Sequence, residues 1–154
     1  MNIQDMLKKE FIIEDLKSRT KKEVLAELAD VFLRDGISID RSAMIEVLLE
    51  REKLGSTGIG DGIAIPHGKL AGLEKLVVSF GRGVTGVDFD SMDGRPVHIF
   101  FLLLAPENSA GLHLKALARI SRMLKDISFR ESLIKAETSE DIYNLIVEKD
   151  GTGI

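Results

Sequence analysis

Apolar positions fall into two rhythms along the chain. Val24, Leu25, Leu28, Val31 and Phe32 recur at helical spacing, as do Met44, Ile45, Leu48 and Leu49. Each set is the stripe that an amphipathic helix turns towards a core. The first helix opens at Thr20-Lys-Lys-Glu23, a capping box in which the hydroxyl takes a first-turn N–H and the carboxylate reaches back, and it stops at Gly36. The second starts at Asp40 and ends near Leu54-Gly55, where glycine suits the residue after the C-cap. Later, His113, Leu117, Ile120 and Leu124 share one face of a helix from about Leu112 to Lys125. Ser128-Phe-Arg-Glu131 reads as a cap opening a short helix, and Thr138-Ser-Glu-Asp141 as the cap of a last one that buries Ile142, Leu145 and Ile146.

The other rhythm is that of strands. Residues 1–20 give an amphipathic start and a short strand at Phe11-Ile-Ile13. Leu76 to Phe80 is a second strand, and Val97 to Leu104 a third, so continuously apolar that both its faces must be covered. Gly81 to Pro96, rich in glycine and aspartate, reads as a loop or a short edge hairpin, and Ala105 to Gly111 as a turn. Helices before and after a sheet predict an α/β sandwich. With no internal repeat, linker or low-complexity tract, residues 1–154 are expected to form one domain.

Composition narrows the function. Lys and Arg number 21 against 25 Asp and Glu, a net charge of −4 with no basic stripe, which argues against nucleic acid as a partner. The chain has no cysteine, so disulfides and thiolate metal sites are excluded. The N-terminus lacks a signal layout, and the longest apolar run, Ile99 to Ala105, is too short to cross a bilayer. A soluble, cytoplasmic protein without direct membrane insertion is expected.

The chemistry concentrates in Gly55-Ser-Thr-Gly-Ile-Gly-Asp-Gly-Ile-Ala-Ile-Pro-His67-Gly-Lys69, where four glycines occupy the eight residues from Gly55 to Gly62. Such a density implies tight turning or close approach of backbone amides to something. Pro66 stiffens the approach to His67 and Gly68 removes bulk just past it. Two glycine motifs are discounted. Gly55-x-x-x-x-Gly60 lacks the Lys-Ser/Thr of a P-loop, and Gly81-x-Gly-x-x-Gly86 leads into Val87-Asp-Phe-Asp-Ser, which has no helical period. The three histidines lack zinc-ligand spacing, and no Gly-x-Ser-x-Gly elbow or cysteine supplies a hydrolase nucleophile. His98, set in an apolar strand, reads as a structural imidazole satisfied by a hydrogen bond. What remains is His67 as a nucleophile, since a neutral imidazole attacks through one nitrogen while the other donates a hydrogen bond. Arg51, the amides of the glycine loop such as that of Gly58, the hydroxyls of Ser56 and Thr57, and the imidazole of His113 are the groups available to meet a phosphoryl anion.

The segment from Arg51 to Lys69 resembles the phosphorylation-site signature of enzyme IIA domains of the bacterial phosphoenolpyruvate:sugar phosphotransferase system, fructose/mannitol class, which includes nitrogen-regulatory IIA proteins. Phe89-Asp-Ser-Met-Asp-Gly-Arg-Pro-Val97 and the helix from His113 to Leu124 are similar to later segments of that family, so the likeness spans essentially the whole chain. The resemblance implies a mixed five-stranded sheet between helices and a phosphocarrier that needs no metal or nucleotide cofactor. It implies His67 as the phosphorylated residue, on Nε2, with Arg51 neutralising the phosphoryl group and His113 as a second active-site histidine. The implied donor is the histidine-phosphocarrier protein. The implied acceptor is a IIB domain with a cysteine or a regulatory target protein. The absence of a fused IIB or IIC segment favours the nitrogen-regulatory type over a transport subunit for fructose- or mannitol-type sugars. A degenerate member that only binds anions is disfavoured, because the residues it would have lost are present. Family members often carry asparagine at the position of Asp61, whose carboxylate is therefore expected to face solvent.

Overall fold

The computed structural model describes residues 2–152. Two 3-10 turns, Ile3–Asp5 and Lys9–Phe11, lead into β1 (Ile12–Ile13). Helices α1 (Lys21–Arg34) and α2 (Arg41–Lys53) follow, then the short strands β2 (Gly58–Gly60), β3 (Ile63–Ala64) and β4 (His67–Leu70). The long strands β5 (Val77–Val87) and β6 (Val97–Pro106) precede α3 (Ala110–Leu124), α4 (Ile127–Lys135) and α5 (Ser139–Asp150).

The strands form one mixed sheet in the order β1-β5-β6-β3-β2, with β4 also beside β6. β5 is antiparallel to β6, while β3 and β4 run parallel to it on the other side. β3 and β4 keep a single register: Ile63 lies opposite Ile99, Ala64 opposite Phe100 and His67 opposite Leu103. They are one strand interrupted at Ile65-Pro66, because proline has no N–H to give the ladder. The Pro66 carbonyl still accepts from the Leu103 N–H at 2.9 Å. Taken as one, they leave the mixed five-stranded sheet that the resemblance implied.

Side-chain alternation assigns the helices to the two faces. On β5, Gly81 faces Leu28 of α1, while its neighbour Arg82 reaches the carbonyls that end α4. On β4, Gly68 faces Val47 of α2, while its neighbour His67 stands beside His113 of α3. The core lies between these layers. Every residue of β6 is buried except the half-buried His98. Phe80 and Phe101 meet edge to face at 5.1 Å between ring centres, and Phe89 and Phe100 at 5.3 Å.

Three of the expected caps form. Thr20 accepts from the Glu23 N–H at 3.3 Å, Asp40 from Ser42 at 3.0 Å and Thr138 from Asp141 at 3.1 Å. The fourth is corrected: α4 is capped by Asp126, which accepts from Ser128 and Phe129, so the helix begins ahead of Ser128. The expected loop after Phe80 is also corrected. β5 continues to Val87 through Gly81 and Gly83, with an irregularity between Arg82 and Val87 where Gly86 takes a φ of 87°. A Cβ at Gly81 would press on Leu28 and Leu16, so the missing side chain admits α1 against the sheet. Arg82, 7% exposed, donates to the carbonyls of Glu14, Leu133, Ile134 and Ala136. A cation there meets the negative end of α4. The dinucleotide-like letters thus lie along a strand and precede no helix. β6 likewise runs into the expected turn, as far as Pro106.

Candidate active site

The glycine-rich stretch is a β-hairpin. β2 and β3 are joined by Asp61-Gly62, with φ of 58° and 77°. Asp-Gly is the dipeptide that a two-residue turn with two left-handed residues calls for. Asp61 is exposed, as expected, and its N–H donates to Asp93 at 3.1 Å. A Cβ at Gly58 would lie 2.9 Å from the Ser91 Cα, so this glycine allows the 88–96 segment to close over the hairpin. The Gly58 carbonyl accepts from the Met92 N–H at 2.9 Å.

His67 opens β4 immediately after the Pro66 interruption and is half-buried. Its Nδ1 lies 2.8 Å from the Ile65 carbonyl, an acceptor only, so Nδ1 carries the proton and the lone pair is on Nε2. That nitrogen accepts from Arg51 Nε–H at 3.3 Å. Arg51 stands in the last turn of α2, and its Nη1 donates to the Gly55 carbonyl at 2.9 Å. The guanidinium is thereby tethered between the helix end and the hairpin. Gly68 makes the approach possible, since a Cβ there would overlap Val47 Cγ1 and push α2 off β4. From the other layer, α3 brings His113 to 5.4 Å between ring centres, the planes tilted by 53°. His113 is 8% exposed, and its Nε2 has no hydrogen-bond partner among the described residues.

The electrostatics keep both rings neutral at pH 7. Burial is the main cause that lowers His67 below the ordinary 6.5; the Ile65 carbonyl opposes it, Arg51 lowers it further and Glu52 raises it. Burial also lowers His113, with smaller pushes from His67 and Lys69.

The other residues expected around a phosphoryl group are placed differently. The Thr57 hydroxyl and N–H both donate to Glu52, which is 8% exposed and also accepts from Lys21 Nζ at 3.0 Å. The Ser56 hydroxyl donates to the Phe89 carbonyl at 2.9 Å and accepts from the Gly58 N–H at 3.0 Å. These three residues build the frame of the hairpin, and the donors expected to face an anion are committed within it. Glu52 was not among the sequence candidates. Its signal was an acid in the last turn of a helix, where the dipole disfavours negative charge and a local partner is needed. His98 sits away from the pair, with Nδ1 at 2.8 Å from the Gly83 carbonyl. Among the described residues no three His, Asp or Glu side chains gather as a metal site, and no helix is long and apolar enough to cross a membrane.

The arrangement offers a neutral nucleophilic nitrogen, a cation against it and a second imidazole beside it, which suits an electrophile carrying negative charge. Residues 5–149 match the family model described as "Phosphoenolpyruvate-dependent sugar phosphotransferase system, EIIA 2". The chain is 46% identical over 146 residues, 95% of each chain, to a nitrogen regulatory protein of Bradyrhizobium diazoefficiens. It is 39% identical over 150 residues to the fructose-specific EIIABC component of Bacillus subtilis, 97% of this chain but 24% of that one. The crystal structure of nitrogen regulatory protein IIA-Ntr from Neisseria meningitidis superposes with a TM-score of 0.87 at 37% identity, covering 94% of this chain and 98% of that one.

Proposed function

The chain belongs to the EIIA 2 family of the phosphoenolpyruvate-dependent sugar phosphotransferase system, and from that footing we propose that it is a phosphocarrier which takes a phosphoryl group onto His67 Nε2. The observation that carries this reading is the pairing of a lone pair fixed on Nε2 by the Ile65 carbonyl with the Arg51 guanidinium at 3.3 Å. The donor is the phosphohistidine of the histidine-phosphocarrier protein. Arg51 exchanges its bond to Nε2 for a bond to a phosphoryl oxygen. The Nε2 pair then attacks phosphorus in line, the new N–P bond forms, the donor's N–P bond breaks, and its electron pair returns to the donor imidazole. Nδ1 keeps its proton, so the His67 ring gains a positive charge beside the phosphoryl group. His113 meets a second oxygen through its unpartnered nitrogen. No base is required, because burial already holds His67 unprotonated.

The greater identity to a nitrogen regulatory protein supports a regulatory carrier acting by contact with target proteins in the cytoplasm. The likeness to a fructose-specific component supports a second reading, transfer onward to a IIB cysteine. The test is incubation with phosphoenolpyruvate, enzyme I and the carrier protein. One alkali-stable, acid-labile phosphate per chain is expected, mapping to residue 67 by mass spectrometry. Label elsewhere, or none, overturns the assignment. Discharge to fructose- or mannitol-type IIB domains then separates the transport reading from the regulatory one.

A further inference from the structure

Arg51 has a neighbour whose position the transfer chemistry above leaves unused. Glu52 is a carboxylate buried to 8% exposure at the end of α2. It accepts from Lys21 Nζ at 3.0 Å, from the Thr57 N–H at 3.1 Å and from the Thr57 hydroxyl. The bonds do not stop at Thr57. Its carbonyl accepts from the Ile65 N–H at 3.0 Å, and the Ile65 carbonyl accepts from His67 Nδ1–H at 2.8 Å. Lys21 is itself held, standing 4.7 Å over the ring of Phe89. Two consecutive residues of one helix turn thus grip the two nitrogens of one ring: Arg51 touches Nε2 directly, and Glu52 reaches Nδ1 through Thr57 and Ile65, the residues that flank the hairpin.

We propose that Glu52 is a positioning residue for phosphoryl acceptance, fixing through Thr57 and Ile65 the proton on His67 Nδ1 and hence the lone pair on Nε2. The inference rests on the reading of His67 as the acceptor. It follows from the order of the bonds. The Ile65 carbonyl selects the tautomer only if residue 65 is held at the correct height; its own N–H is bonded to Thr57 O, while the Leu103 N–H holds the Pro66 carbonyl beside it. Thr57 in turn is held on both its N–H and its hydroxyl by one carboxylate. Bonds to an ionised group are the stronger kind, and in a water-poor setting each polarises the next. Glu52 has a second consequence. When the N–P bond forms with Nδ1 still protonated, the ring becomes cationic next to Arg51. A buried anion linked to Nδ1 by these bonds offsets that charge, in keeping with its upward push on His67 protonation.

The test compares the Glu52→Ala, Glu52→Gln and Thr57→Val proteins with the unaltered chain by two measurements. One is the ¹⁵N shifts of the His67 ring in the unphosphorylated protein, which report the tautomer whether or not transfer occurs. The other is single-turnover transfer from the phosphorylated carrier at several carrier concentrations. Glu52→Ala is expected to draw the two ring ¹⁵N shifts together and to slow transfer roughly a hundredfold. Glu52→Gln, which keeps hydrogen-bonding groups near Thr57 but loses the charge, should retain the shifts and slow transfer roughly tenfold, the scale on which partners behind a functional imidazole act. Thr57→Val should fall in the same direction by a smaller factor. In each case the loss lies in the maximal rate, with half-saturation by the carrier unchanged. Shifts and rates within about twofold of the unaltered protein in Glu52→Ala overturn the proposal. If Glu52→Ala fails to fold, unchanged shifts and rates in both other variants overturn it, because Glu52 is then structural only; slowed transfer in them supports it. If the unaltered protein takes no label at residue 67, the function reading fails, while the ring shifts still decide whether Glu52 governs the tautomer.

Discussion

His67 and His98 make the same first move and only one of them is equipped to go further. Each rests Nδ1 on a backbone carbonyl 2.8 Å away, and each is half-buried. Both therefore carry the lone pair on Nε2. They belong to opposite ends of β6: His98 is on it, five positions before Leu103, the residue opposite His67. At about 3.3 Å per residue that is roughly 16 Å along the sheet. Gly62 and Gly86 lie beside the His98 ring, which shares a cleft with Arg130 and Lys135 but, among the described residues, takes no side-chain hydrogen bond. Around His67 stand a guanidinium from one helical layer and an imidazole from the other. On the proposed reading of His67, the contrast is that a fixed tautomer alone does not make an acceptor; the cation brought by α2 and the ring brought by α3 complete it.

The hardest way to break this comparison is to exchange the fates of the two rings. His67→Ala is expected to abolish labelling by phosphoenolpyruvate, enzyme I and the carrier, whereas His98→Gln labels to full stoichiometry. The opposite pattern in a phosphorylation assay would put the site at the wrong end of the sheet. Next in size is Arg51→Ala, for which transfer should slow by about a hundredfold, the effect of losing one charge-stabilising donor. Circular dichroism should show the fold intact, since among the described residues the Arg51 side chain bonds only to His67 and the Gly55 carbonyl.

The pH profile sharpens the contrast by a smaller amount. Protonation removes the lone pair, so transfer falls on the acid side. Burial, the leading cause, holds His67 below 6.5, so the midpoint of the acid limb should lie at a pH below 6.5. An inflection above 6.5 would mean a ring more exposed, or closer to an anion, than described. The smallest effects come from two glycines. Gly68→Ala and Gly81→Ala each drive a Cβ into a packed helix, against Val47 and Leu28 respectively, and each should destabilise by about 1–3 kcal/mol in denaturant unfolding. Only Gly68→Ala should also slow transfer, because only it shifts the helix that holds Arg51.

Much of this was legible in the letters. The helices showed through apolar spacing, three of the four caps behaved as read, and the trio of Arg51, His67 and His113 was named from the resemblance and found together. What was not legible has physical reasons. Gly81, Gly83 and Gly86 read as loop punctuation, yet glycine in a strand also marks close approach of another element, and nothing local distinguishes the two. The Asp61-Gly62 turn was visible but was masked by the density of glycine around it. Ser56 and Thr57 were read as donors to a ligand, because the sequence names a hydroxyl's presence and not its partner. Glu52 is the partner of Thr57, and at five residues' remove on a helix end only the fold joins them.

The break at Ile65-Pro66 makes the orientation of the His67 ring a question of odd and even. β3 and β4 share one phase with β6, so the number of residues between Ala64 and His67 decides which side of the sheet residue 67 looks out from. One residue added there, if it moved His67 from opposite Leu103 to opposite Leu104, would send the ring towards α2 and bring Gly68's vacant side round to α3; two would restore it. Length in this short link is thereby set by parity, whatever its composition.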